Sequence, residues 1–337
     1  MRRTIRLPGA RRGMVEFMKT ISIVVPTYNE EENVIPLAAA LISELEEHCV
    51  GYSYEIIFID NDSKDSTRDK IRTLCADNPR IKAIFNAKNF GQLNSPYYGL
   101  LQSTGDCTIL ICADFQDPVE MISIFVHEWE QGYKVVIGEK ISSQENPLMY
   151  WLRSCYYKLI KTFSDVEQIE HFTGFGLYDR EFIDILKNLN DSTPFLRGIV
   201  AELGYKMKII PYEQRLRRGG KSKNNFMSLY DVAMRGFTSY TKIGLRAATF
   251  VGFGVALISL AIAVFYLIYK LMFWNSFSVG MAPMLIGMFF LGSVQLIFLG
   301  LMGEYILSIN QRSMNRPLVI EEERINFGKE NLPIVDS

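Results

Sequence analysis

Histidine, tryptophan and cysteine are all scarce in this 337-residue chain, which has 3 His, 3 Trp and 5 Cys. The cysteines (Cys49, Cys75, Cys107, Cys112 and Cys155) are odd in number, scattered and never arranged as C-x-x-C. That argues against a disulfide framework and a zinc site and points to a reducing compartment. Net charge is missing too: 36 Lys and Arg against 37 Asp and Glu leave −1, without the massed basic charge of a nucleic-acid binder. Neither G-x-G-x-x-G nor G-x-x-x-x-G-K-[ST] occurs, so a Rossmann dinucleotide site and a P-loop are unsupported. The Arg-rich opening "MRRTIRLPGARRG" runs into "MVEFMK", which is no signal-peptide apolar region. Residues 1–18 read as a disordered leader, with a lipid-touching tail or an upstream start as alternatives.

What is abundant is apolar sequence, 48% of the chain. Two charge-free runs, 247–269 and 281–303, each approach the ~20 residues that a helix needs to cross a bilayer. They predict a two-helix transmembrane hairpin over 247–306. Lys221, Lys223, Arg235, Lys242 and Arg246 precede it and Arg312 and Arg316 follow it, while "KLMFWNSFSVG" between the runs holds one Lys. The positive-inside rule then places both ends in the cytoplasm and Trp274 in the far aromatic belt. The expectation is a multi-pass plasma-membrane protein. Residues 226–246 have helically spaced apolar residues among cations and predict an interfacial amphipathic segment.

Upstream, short β-branched runs alternate with helical ones: "TISIVVPTY", "VIPLAAALISELEEH", "YEIIFID", "STRDKIRTLCA", "IKAIFNA", then "CTILICAD" and "KVVIGEK". This order implies an α/β domain over 19–225 with a mostly parallel sheet and right-handed crossovers. Ligands of such sheets bind beyond the carboxyl ends of the strands. Three of those ends are acidic: "PTYNEEEN", "DNDSKDST" and "ADFQDP". An acidic crevice there needs a divalent cation before it can hold a phosphate. Asp117, ahead of Pro118, reads as the cap of the following helix, and His171 as a structural or solvated residue.

With these motifs in this order, the chain resembles the GT-A glycosyltransferases of family 2, in particular the polyprenyl-phosphate glycosyltransferases, which include dolichyl-phosphate mannose synthases and bactoprenol glucosyltransferases. The resemblance implies that Pro26, Tyr28, Glu30, Asp60, Asp62, Asn89, Gly91, Gln92 and Ala113 bind a nucleotide-sugar. "NFGQ" and "STGD" also resemble family segments. The family pattern D-x-D-x-Q appears as Cys112-Ala113-Asp114-Phe115-Gln116, with the first Asp replaced. Asp114 and Gln116 are the catalytic and metal residues it implies, for Mg2+ or Mn2+. Mg2+ commonly needs only one or two protein carboxylates beside substrate phosphates. "RLRRGGKSKNN" resembles the family's acceptor element, implying phosphate binding by Arg217, Arg218, Lys221, Ser222 and Lys223; a polybasic patch for anionic lipid is the alternative. Arg153 matches a family Arg on the acceptor side, and Lys140 stands where relatives have Arg. "FTGFGLYDREF" resembles the bactoprenol-type subgroup without an assigned chemistry.

The resemblance implies inverting transfer of a hexose, glucose from UDP-glucose first, to polyprenyl (undecaprenyl) phosphate. A GDP-mannose-dependent mannosyltransferase and a silent nucleotide-sugar-binding scaffold for a flippase are the alternatives. A processive polysaccharide synthase would need Q-x-x-R-W, which does not occur. In the tail 307–337, "NRPLVIEEERINF" predicts a strand added to a sheet edge between protomers, making a homo-oligomer.

Overall fold

The computed structural model describes residues 18–142, 172–189, 191–215, 234–238, 243–272 and 281–328. The chain divides into two compact units, one of Met1–Asn146, Ile169–Lys223 and Pro317–Ser337, the other of Pro147–Gln168 and Asn224–Arg316.

The first unit is built on one 8-stranded sheet of order β7-β5-β6-β4-β1-β2-β3-β8. Its strands are β1 (Thr20–Thr27), β2 (Ser53–Asp60), β3 (Ile81–Asn86), β4 (Cys107–Leu110), β5 (Val135–Ser142), β6 (Phe172–Asp179), β7 (Met207–Glu213) and β8 (Glu321–Ile325). Between them run helices α1 (Val34–His48), α2 (Thr67–Asp77), α3 (Gly91–Gln102), α4 (Met121–Glu130), α5 (Arg180–Leu189) and α6 (Leu196–Glu202). Strands β3, β2, β1 and β4 run parallel, as the alternating pattern predicts. Their side chains serve two cores: Ile21, Ile23 and Val25 of β1 pack in one, with Leu37 and Leu41 of α1 and Phe125 of α4. Val24 points the other way, among Tyr97 and Leu100 of α3 and Phe182 of α5. Burial of both faces explains why these strands are apolar almost throughout.

The sheet is mixed, because β6 enters antiparallel between β4 and β5, and β8 antiparallel beside β3. "FTGFGLYD" is β6 itself, and Gly176 within it has a packing reason. A Cβ on Gly176 would lie 2.5 Å from the Val136 carbonyl oxygen, so only glycine lets the two backbones come this close. The apolar run predicted as one strand through Asp114 leaves the ladder at Leu110, opposite Gly176.

The tail forms its expected strand, but on its own sheet. Ala83, Ile84 and Phe85 of β3 pair with Ile325, Arg324 and Glu323. This corrects the expectation of an intersubunit strand, since the edge it would have bridged is already filled by the same chain.

In the second unit, α7 (Ile243–Met272) and α8 (Met281–Ser313) contain the two runs expected to span a membrane. Phe250, Phe253 and Phe265 of α7 and Met284, Phe290 and Leu296 of α8 are exposed, an arrangement water disfavours along a whole helix. Among the described residues, one stretch, Phe290–Ser313, is long and apolar enough to cross a membrane. The interfacial segment expected over 226–246 is described only at 234–238, which is helical, and from Ile243.

Candidate active site

Strand register gathers the three acidic ends. Thr27 lies opposite Asp60 and Val24 opposite Leu110, so the segments after β1, β2 and β4 leave the sheet at one edge. After β1, Asn29 has a left-handed backbone (φ 54°) and is tied to the neighbouring loop: its amide donates to Ser63 Oγ (2.8 Å), and its side-chain oxygen accepts from the Lys64 amide (2.7 Å). The Glu30 amide donates to Thr67 Oγ1 at 2.8 Å, and Glu30 Oε2 accepts from the Asn33 amide group at 2.7 Å. Pro26 and Tyr28 flank this turn, half-buried. An open groove of about 390 Å³, lined by Asn29, Glu30, Glu31, Glu32, Asn33, Lys64 and Asp65, runs along it.

After β2 the acidic pair separates. Asp60 is fully buried, accepting from the Ser63 amide (3.0 Å), the Ser63 hydroxyl and Arg68 Nε (2.7 Å). Asp62 is partly exposed, adopts φ 67° and pairs with Lys64 Nζ at 2.6 Å. Between them, Asn61 joins this loop to the next: its Nδ2 donates to Asn89 Oδ1 (2.8 Å) and the Gly91 carbonyl (3.3 Å), while its Oδ1 accepts from the Phe90 amide (2.9 Å). Asn89 Oδ1 also accepts from the Gly91 amide (2.8 Å), and Gly91 holds φ 91°. Gln92 is exposed at the start of α3. Asn61 belongs to no motif; its signal in the sequence is that three successive polar residues leaving a buried strand cannot all face the same crevice.

After β4, Ala113 is buried, and Asp114 and Gln116 are partly exposed on a turn whose middle residue, Phe115, takes φ 57°. Such a backbone is uncommon for a bulky side chain and is found where the surroundings enforce it. Asp114 Oδ1 accepts from the Gln116 amide at 3.2 Å, and Phe115 packs against the core. Asp117 is not the cap of α4, whose N-cap is Glu120. It is buried and accepts from the Tyr212 hydroxyl at 2.6 Å. Burial pushes its carboxyl above the ordinary range, against the pull of Tyr212 and Lys140.

Lys140, half-buried on β5, sits opposite Tyr212 and feels Asp117, Cys112 and Asp114; burial nonetheless holds its ammonium below the ordinary lysine range. It therefore belongs beside the acidic turn. Cys112 is exposed, yet desolvation, then Asp117 and Asp114, push its thiol up. A soft thiol is a poor partner for a hard cation. Among the described residues no group of three or more His, Cys, Asp or Glu side chains is placed to hold a metal. Asp114 and Gln116 supply one carboxylate and one amide oxygen, a set that fits Mg2+ or Mn2+ only when substrate phosphates and water complete the shell.

Of the acceptor-side residues, Arg153, Arg217, Arg218, Lys221, Ser222 and Lys223 lie outside the described residues. The start of their stretch is described. The Arg215 amide donates to the Gln116 carbonyl at 3.2 Å, and its guanidinium meets Glu120 at 3.3 Å.

Residues 22–204 match the profile described as Glycosyl transferase family 2. A bactoprenol glucosyl transferase of Shigella phage SfX is 34% identical over 305 residues, covering 90% of this chain and 99% of its own. The prophage bactoprenol glucosyl transferase homolog of Escherichia coli K12 is 32% identical over 301 residues, covering 89% and 97%. Among solved structures, mannosyl-3-phosphoglycerate synthase from Rubrobacter xylanophilus is similar at a TM-score of 0.46 and 18% identity, covering 64% of this chain and 71% of that one. The family match over more than half of the chain, and relatives matched almost end to end, show that it belongs to the family 2 glycosyltransferases, in the group that contains the bactoprenol enzymes.

Proposed function

We propose that this enzyme transfers a hexosyl group, glucose from UDP-glucose in the first place, to the phosphate of a polyprenyl phosphate at the cytoplasmic face of the membrane, inverting the anomeric centre. The observation that carries the proposal is the Arg215–Gln116 hydrogen bond, which ties the chain entering the basic stretch to the acidic turn. Arg217 follows two residues later in the sequence. Donor diphosphate and acceptor phosphate would therefore meet beside Asp114, Gln116 and Lys140.

On the donor side, Pro26, Tyr28, Glu30, Asp62, Asn89, Gly91 and Gln92 border the space for base and ribose, and Asp60 works from beneath by fixing the loop. Asp114 and Gln116 would hold Mg2+ or Mn2+, which neutralises charge on the leaving diphosphate. A phosphate monoester is already ionised near neutral pH, so the protein needs no strong base. Lys140 and the 215–223 stretch orient that phosphate for in-line attack on the sugar C1, and excluding other nucleophiles is then a matter of position.

The lipid acceptor is supported by the bactoprenol activity named for the relatives and by the exposed apolar faces of α7 and α8. The topology has its own support. Strands β1 to β7 precede the two long helices and β8 follows them, yet all belong to one sheet. A folded sheet lies on one side of a bilayer, so the chain between β7 and β8 crosses an even number of times. If α8 spans, α7 is its return partner. The test is release of UDP by the purified full chain. Release that requires both polyprenyl phosphate and a divalent cation supports transfer, whereas nucleotide binding without release would leave a silent scaffold.

A further inference from the structure

We propose that Arg68 is a positioning residue for the nucleotide-sugar site and that β8, the strand supplied after the second long helix, holds it in place. The proposal rests on the donor-site reading above. Arg68 lies in the first turn of α2, and its guanidinium addresses three strand ends together. Nε donates to Asp60 Oδ2 at the end of β2 (2.7 Å), Nη2 to the Asn86 carbonyl at the end of β3 (2.5 Å), and Nη1 to Glu322 Oε2 of β8 (2.8 Å). Nη2 is also 3.8 Å from Asp62 Oδ1, and the group lies over the Phe85 ring. Those two strand ends carry the loops that Asn61 joins, through Asn89, Phe90 and Gly91. Asn86 itself donates from Nδ2 to Asn61 Oδ1 at 3.2 Å. The guanidinium thus touches the ends of the strands that carry the donor loops and the tail together.

A planar fork can serve three acceptors in fixed directions; an ammonium on a flexible stem cannot. The acidic run of the tail is committed to this docking. Glu321 accepts from the Tyr98 hydroxyl (2.9 Å) and Glu323 from Arg72 (2.8 Å), beside the Glu322 contact. Glu322 is 57% exposed, so its pair with Arg68 adds little to folding stability. Its effect is on where the Arg68 fork, and with it Asp60 and Asp62, is held.

The experiment uses the full chain in detergent, with Glu322→Ala and Arg68→Lys. UDP affinity is read by calorimetry, KM for nucleotide-sugar and for polyprenyl phosphate by transfer, and Tm by thermal unfolding. Glu322→Ala should weaken UDP binding and raise donor KM roughly two- to fivefold, at nearly unchanged Tm, lipid KM and kcat. Arg68→Lys, which keeps the charge and loses the fork, should weaken UDP binding further. Unchanged UDP affinity in Glu322→Ala, or a loss in both variants that only follows Tm, would overturn the proposal. Wild-type protein that binds UDP without transferring sugar would refute the acceptor reading alone, because the UDP comparison would still decide this one.

Discussion

Tyr212→Phe isolates the hydrogen bond that anchors the acidic turn after β4. The ring stays, including its edge contact with Phe175 at 5.4 Å, and only the hydroxyl that donates to Asp117 Oδ1 is removed. Asp117 is 4% exposed and Tyr212 5%, so water does not replace the lost donor. A hydrogen bond to a charged group contributes about 1.5–3 kcal/mol. For a folded unit of roughly 150–250 residues each kcal/mol moves Tm by about 2–4 °C, which predicts a fall of about 3–12 °C. The assay is thermal unfolding of the detergent-solubilised protein. A double-mutant cycle with Asp117→Asn supplies the control: two partners in one contact should not add, with a coupling of about 0.5–3 kcal/mol. A Tm change below about 1 °C, or additive effects, would refute the placement of Asp117 as a buried acceptor held by Tyr212.

Asp114→Asn should abolish transfer while Cys112→Ala retains most of it, because a hard cation needs the carboxylate and not the thiol; equal losses in a transfer assay would contradict this. Replacing Arg217 and Arg218 by Ala should raise KM for lipid phosphate far more than for nucleotide-sugar, and an unchanged lipid KM would return the cluster to a general anionic-lipid patch. Glu55 gives the pH prediction. Burial alone would raise its carboxyl pKa, but Lys82, Ser22 and Thr104 reverse this and hold it below the ordinary 4.5. Its folded pKa is thus the lower one, so its stabilisation is present above about pH 4.5 and is lost as pH falls through the folded value. Glu55→Gln should lower Tm at neutral pH and narrow its gap to wild type in acid; a pH-independent gap would contradict the assignment.

Period and composition made the parallel half of the sheet legible: Ile21, Ile23 and Val25 alternate with Val24, and Val34, Leu37, Ala38, Leu41 and Leu45 mark one helix face. The three acidic ends were legible because strand order decides which ends converge. What escaped depends on partners remote in sequence. The role of Asp117 is set by Tyr212, 95 residues away, and local pattern offered only a cap. β4 leaves both of its neighbours after Leu110, which the apolar run through Ile111 does not reveal. The tail had the right propensity and found a sheet edge, but the choice between its own edge and a neighbour's lies in the tertiary geometry of β3. Arg68 carries no motif signal on α2, and only the return of β8 gives its third contact a partner.

The most direct test of the central claim is transfer from a panel of labelled nucleotide-sugars to short-chain polyprenyl phosphate by the purified full chain, followed by analysis of the lipid fraction. The expected product is a polyprenyl-phosphate sugar with one hexose, formed first from UDP-glucose and β-linked from the α-linked donor. No lipid-linked sugar from any donor, or a product that retains the donor's anomeric configuration, would contradict it.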